Sequence, residues 1–241
     1  MANKKEIERL WLDEIAKLDP DFPSGVIIEG KNPDFIIKGT DKATGIELAS
    51  YYRGQGPAGS NKKRNEVLRQ EVIKEAQKEF ERTHDIPLIV NVFSRSHPDL
   101  SSADIAGLAS AIVRVVSENV PNKNYAEVRV GYEQFDSSLL EQCSSLIIIH
   151  RANDLDTWHI VSFDWTDASS SELDYVVSTH GQNVGRYLTN CSEVWLYIVA
   201  DSYNLSSSIT STEILEKRGY QSKFTTIRLY NRASGTIIKL Q

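Results

Sequence analysis

Apolar residues Ile7, Leu10, Trp11, Ile15 and Leu18 recur at helical spacing and predict an amphipathic helix over about Lys4–Leu18, ended by Asp19-Pro20 and Pro23. The period then shortens. Gly25–Glu29, Asp34–Lys38 and Gly45–Tyr52 are short strand-like runs separated by turn-rich pieces, as in a meander. Arg53–Asn61 is glycine-rich and reads as a mobile loop. A long helix from about Lys62 to Thr83 turns Leu68, Val72, Ile73, Ala76 and Phe80 inward. Ile86–Phe93 is expected to be a buried strand, and Ser101–Asn119 a helix opened by a serine cap. Further strands are expected at Glu127–Tyr132, Leu146–His150, Trp158–Trp165 and Val194–Ala200, with a helix over Glu172–Asn190. The tail reads as a hairpin of Thr225–Tyr230 and Thr236–Leu240. The Ser- and Thr-rich stretches near Ser169 and Ser206 read as surface loops. Strands alternating with long helices after a meander predict an α/β fold, a central mixed sheet flanked by helices.

With 241 residues the chain can bury one substantial core, read as residues 1–95 extended by 96–241 in the same domain. Its net charge is −6, from 27 basic and 33 acidic residues, which argues against a general coat of positive charge while leaving room for a local basic groove. Cys143 and Cys191 lie far apart, outside any CxxC pattern, and read as buried small apolar residues. No histidine stands at metal-ligand spacing; His150 and His159 are placed to face each other across two strands. The first residues lack the apolar core of a leader peptide, and no apolar run approaches the ~18 residues of a membrane span, so the cytoplasm is the default expectation.

The segment NPDFIIKGTDKATGIELAS carries the candidate chemistry. Glu47 sits between Ile46 and Leu48 in a strand, so it points to the opposite face from them. Asp34 opens the preceding strand, and two adjacent strands can bring both carboxylates to one face. Close carboxylates repel unless a cation joins them, and an oxygen-rich pair suits Mg²⁺ or Mn²⁺. The alternative is plain: Asp34 starts a strand after a proline, and Glu47 faces solvent.

A helix with an early acid, then Pro-Asp-Phe, then a hairpin to Gly-Ile-Glu-Leu, resembles the PD-(D/E)xK nuclease superfamily, with its restriction-endonuclease-like fold. The match runs from about Glu6 to Phe93, and the chain is similar to a bacterial group that follows this core with a strand like VWLYIV (Val194–Val199). The resemblance implies that Asp34 and Glu47 hold the metal and that Glu8 is the first-helix acid, followed by Trp11, Leu12 and Ile15; Glu14 is its rival. The family places a lysine two residues after the glutamate, where this chain has Ala49. Some members supply a basic group from the following helix, where Arg64, Arg69 and Gln70 are available.

GQGPAG, with Gly54, Gly56 and Gly59, spells GxGxxG between a strand and a helix, but the strand before it carries Glu47 and basic residues follow it. Lys62, Lys63 and Arg64 at a helix start oppose the helix dipole, and a phosphate would reverse that sign. With Arg53 they form a candidate phosphate-binding cluster, or a solvated charge run. In the C-terminal half, Gln182, Asn183, Arg186 and Tyr187 form a polar helical face. The leading expectation is divalent-metal-dependent cleavage of phosphodiester bonds in nucleic acid. A catalytically inactive nuclease-fold binding protein is the alternative, and a nucleotide-cofactor enzyme using the Gly54–Gly59 loop comes third.

Overall fold

The computed structural model of the protein describes residues 3–95, 98–153, 155–161, 168–201, 205–207, 209, 220 and 222–241. In chain order the elements are α1 (Lys4–Leu18), β1 (Val26–Glu29), β2 (Phe35–Lys38), β3 (Ala43–Ser50), α2 (Asn61–Glu81), β4 (Leu88–Ser94), α3 (Asp104–Glu118) and β5 (Glu127–Gly131). They continue with α4 (Ser138–Cys143), β6 (Ser144–Arg151), β7 (Thr157–Val161), α5 (Ser170–Gly181), α6 (Val184–Tyr187), β8 (Glu193–Ala200), β9 (Thr226–Asn231) and β10 (Thr236–Lys239). The fold is α/β, with mixed sheets flanked by helices. The chain forms two compact units, residues 1–60 with 165–241, and residues 61–164. The boundary expected near residue 95 falls inside the second. No helix of the described residues is long and apolar enough to cross a membrane.

The first unit holds a six-stranded sheet in the order β1-β2-β3-β8-β9-β10. β1, β2 and β3 are an antiparallel meander, β3, β8 and β9 run parallel, and β10 returns antiparallel. Parallel neighbours need a crossover connection, and α5 and α6 lie in the connection that leads into β8. The strand beside β3 is therefore β8. The expected core strand at Ile86–Phe93 is β4, in the other sheet, and the helix expected at Lys62–Thr83 belongs to the second unit. The order helix, meander, helix, strand is met within the first unit by α1, β1–β3, α5 and β8, with the second unit inserted after β3.

The two faces of this sheet are covered differently. Trp11, Leu12 and Ile15 of α1 pack with Phe35, Ile37, Ile46, Leu48, Tyr197 and Val199. On the other side Leu173, Val176 and Val177 of α5 and Tyr187 of α6 pack with Ala49, Leu196 and Ile198. β3 is thus buried on both faces, and a side chain at Glu47 cannot be a solvent-facing strand residue. Asn3 caps α1, accepting from the Glu6 N–H at 3.0 Å while Glu6 accepts from the Asn3 N–H at 2.8 Å. The buried stripe of α1 is Glu8, Trp11, Leu12 and Ile15, whereas Ile7, Leu10 and Leu18 are largely exposed. The stripe is narrower than the apolar pattern and rotated, and it begins on a carboxylate. Gly45 is required by close approach: a Cβ there would stand 2.8 Å from Cys191 Sγ and from Pro33 Cγ.

The second unit has a four-stranded sheet ordered β5-β6-β4-β7. Leu88, Val90, Val92, Val130, Ile147, Ile149 and Trp158 join Val72, Ile73, Ala76, Phe80 and the apolar face of α3 in one core. The alternate residues, among them Ile89, Asn91, Ile148, His150 and His159, point to the face opposite those helices. His150 and His159 do not face each other, because β4 lies between their strands.

Candidate functional site

β2 and β3 pair Phe35 with Ile46, and carrying that register on by one residue sets Asp34 opposite Glu47. Directly opposed residues hold their Cβ atoms about 4.5–5.5 Å apart on one face. Both carboxylates are buried, Asp34 at 9% and Glu47 at 7% exposure. The Leu48 N–H donates to Asp34 Oδ2 at 3.0 Å, which fixes the aspartate against β3. Glu8, 3% exposed at the head of the α1 stripe, is linked to Asp34 through Lys5. The Lys5 ammonium lies 2.7 Å from Glu8 Oε2 and 3.2 Å from Asp34 Oδ1, so one cation touches two of the three acids. Lys4 reaches Glu8 Oε1 at 3.2 Å from an exposed position.

Glu47 is held from the other side of the unit's chain. Oε1 meets His180 Nδ1 at 2.9 Å and accepts from the Tyr187 hydroxyl at 3.0 Å. A carboxylate only accepts, so His180 Nδ1 is the donor in this contact. Burial, and then the negative charge of Glu47, push the Asp34 carboxyl above its ordinary range; the Leu48 N–H and Lys5 only partly oppose them. Burial pulls the Lys5 ammonium down, but its bonds to Glu8 and Asp34 outweigh that and raise it overall. Burial and Glu47 together push the Tyr187 phenol up to about 12.

The donors of this cluster are carboxylate oxygens, the kind that hard divalent cations prefer. Glu8, Asp34 and Glu47 supply the carboxylates; Lys4 and Lys5 pair with Glu8, and Lys5 also with Asp34. Among the described residues the hydrogen bonds to Glu47, from His180 and Tyr187, both fall on Oε1. Among the described residues no group of three or more His, Cys, Asp and Glu side chains is arranged to hold a metal ion. Mg²⁺ does not need such a group, since one or two carboxylates commonly hold it while water and phosphate fill its other positions.

The remaining candidates lie elsewhere. Glu14, the rival of Glu8, bonds Arg232 at 2.8 Å and the Tyr230 hydroxyl at 3.1 Å, and Arg232 holds its carboxyl below the usual range. Arg53 is buried rather than displayed on a mobile loop, with its N–H donating to the Ser206 carbonyl at 2.7 Å. Lys62 and Arg64 are exposed and Lys63 half-buried at the start of α2, and Gln70 is exposed in the middle of that helix, all in the second unit. Arg69 donates to Ser94 Oγ at 2.6 Å and to the Pro98 carbonyl at 3.3 Å, and thus serves contacts within that unit. Ala49 is 2% exposed in the cluster with Leu173, Val176 and Val177, so a basic side chain from α2 has no open space beside it. Gly54 and Gly59 have φ of 68° and 84°, and a Cβ at either would meet nothing within 4 Å. The loop is instead tied at its start, where Glu172 accepts from the Tyr51 hydroxyl and the Gly54 N–H.

Three contacting residues were not anticipated: Lys5, His180 and Tyr187 in its contact with Glu47. Lys5 stands three positions before Glu8, a spacing that places neighbours on one helix face. His180 and Tyr187 are seven apart, but the helix expected over Glu172–Asn190 breaks into α5 and α6 between them. Compared with known protein families, characterised proteins and solved structures, the chain shows no significant match.

Proposed function

We propose that the first unit is a divalent-metal-dependent, nuclease-like centre that hydrolyses phosphodiester bonds in nucleic acid. The observation that carries the reading is the cross-strand placement of Asp34 against Glu47, with Glu8 beside them in a buried, net acidic cluster. The order of α1, the β1–β3 meander, α5 and β8 supports it, as does the resemblance of the Pro-Asp-Phe to Gly-Ile-Glu-Leu segment to the PD-(D/E)xK superfamily, here with a restriction-endonuclease-like core. Asp34 and Glu47 would hold Mg²⁺ or Mn²⁺, which supplies charge for a phosphate oxygen and lowers the pKa of a bound water. Lys5 would stand in for the basic group that Ala49 lacks: its ammonium pairs with Glu8 and Asp34 and its side chain is 40% exposed, open to an incoming phosphate. Leu48 orients Asp34, and His180 and Tyr187 orient Glu47.

A second reading, a catalytically inactive nuclease-fold binding protein, is favoured by one fact. Each acid already has a partner within the chain: Lys5 for Glu8 and Asp34, His180 and Tyr187 for Glu47. The two readings separate in one experiment. The purified protein is incubated with Mg²⁺ or Mn²⁺ and duplex DNA, single-stranded DNA or RNA, beside Glu47→Gln, Asp34→Asn and Lys5→Met. Cleavage by the parent that vanishes in Glu47→Gln and Asp34→Asn and falls in Lys5→Met supports the enzyme. Absence of cleavage of all three substrates with either metal supports the binding protein.

A further inference from the structure

The second unit contains a concavity of about 610 Å³ on the helix-free side of its sheet, lined by Ile89, Asn91, Tyr125, His150, Asn153 and Leu155 among others. Three features of this hollow have no structural use. Tyr125 has a φ of 64°, a left-handed conformation that bulky side chains rarely adopt, yet its ring is 80% exposed and adds nothing to the core. Its conformation is held by its N–H bond to the Arg151 carbonyl at 2.8 Å, and its hydroxyl accepts from Asn153 Nδ2 at 2.6 Å, which fixes the ring. Leu155 is 55% exposed on the same rim. On the floor, the Asn91 carboxamide is half-buried and makes no hydrogen bond among the described residues.

These features select a ligand class. An anion finds little here, because the lining His150 faces Glu127 and the lining Arg151 donates its guanidinium to the Pro121 carbonyl at 3.2 Å. A purely apolar ligand would leave the Asn91 amide without water or partner. A planar, uncharged heterocycle with adjacent donor and acceptor atoms meets both conditions: it stacks on a fixed aromatic ring and pairs with a carboxamide. We propose that this hollow binds a single unpaired nucleobase, stacked on Tyr125 and read on its edge by Asn91. The site is independent of the carboxylate cluster in the first unit.

The test uses the full chain in EDTA, so that cleavage and metal contributions are absent. Fluorescence polarisation follows a labelled single-stranded oligodeoxyadenylate, with unlabelled adenosine monophosphate as competitor, and circular dichroism checks each variant's fold. Tyr125→Ala and Asn91→Ala should each weaken binding about tenfold or more, the range that loss of one base–aromatic stack gives. Tyr125→Phe keeps the ring and should stay within about threefold of the parent. Adenosine monophosphate competing at concentrations comparable to the oligonucleotide marks a mononucleotide site; binding of the oligonucleotide alone marks a strand site. No binding of either probe by the parent, or parental affinity in a folded Tyr125→Ala, overturns the proposal.

Discussion

Replacing Ala49 with lysine restores the spacing of the nuclease motif, and it is expected to damage this protein rather than repair it. Ala49 is 2% exposed, and Leu173, Val176, Val177, Leu196 and Ile198 belong to the cluster around it. Forcing a four-carbon stem into a packed core costs about 1–3 kcal/mol. Withdrawing the ammonium from water adds several kcal/mol unless it is well paired. Glu47 lies on the same face two residues away, but His180 and Tyr187 already hold its Oε1, so pairing recovers only part of that. A net loss of roughly 3 kcal/mol or more follows, and for a chain of this size that lowers the melting temperature by about 6–12 °C. Differential scanning fluorimetry and urea titration of Ala49→Lys beside the parent read the loss directly. A melting point within about 2 °C of the parent, with a gain in cleavage, would show that α5 leaves room there and that the filled-space reasoning is wrong.

Other outcomes follow from the same contacts. Tyr187→Phe removes one hydrogen bond to a buried carboxylate and should cost about 1.5–3 kcal/mol in urea titration; an unchanged midpoint would mean that the phenol does not hold Glu47. Asp34 and Glu14 should give opposite pH profiles. Asp34 binds its proton more tightly folded than unfolded, so its contribution is complete below its ordinary value of 3.8 and lost as pH rises through its raised value. Glu14 is shifted down by Arg232, so its contribution is present above its ordinary value of 4.5 and lost as pH falls through its lowered value. Stability of the parent minus Asp34→Asn should therefore fall with rising pH, and of the parent minus Glu14→Gln should rise; matching signs would refute the assignment. Lys5→Met removes the close ammonium, and the Asp34 carboxyl, followed by ¹³C NMR titration, should move further upward; no movement would deny the contact.

Much of this arrangement was legible in the sequence, and the failures have physical causes. Asp34 and Glu47 were found because strand alternation and a short hairpin fix which residues meet, and both are local properties. Glu8 was found because it stands at +0 of a +3, +4, +7 apolar pattern that the buried stripe of α1 follows. The partner of β3 was missed because the pairing is not local: about a hundred residues, forming a separate unit, come between β3 and α5. α2 and β4 were nearer in sequence and had the right type and order. His180 was missed for the same reason, since its role depends on β8 bringing α5 over β3 rather than on any spacing around it. Ser206 and Ser207 read as surface polarity, yet Ser207 Oγ donates to the Tyr51 carbonyl at 2.6 Å and is buried. The basic group was sought in α2, at Arg64, Arg69 or Gln70, whereas the ammonium on Asp34 is that of Lys5, one turn before Glu8.

The most direct measurement is the number of Mn²⁺ ions bound by the protein, counted from the loss of the free-ion signal in electron paramagnetic resonance. One Mn²⁺ per chain is expected in the parent, displaced by excess Mg²⁺ and lost in both Asp34→Asn and Glu47→Gln while their folds persist. A parent that binds no Mn²⁺, or variants that bind it as the parent does, would contradict the assignment of these two carboxylates as a metal site.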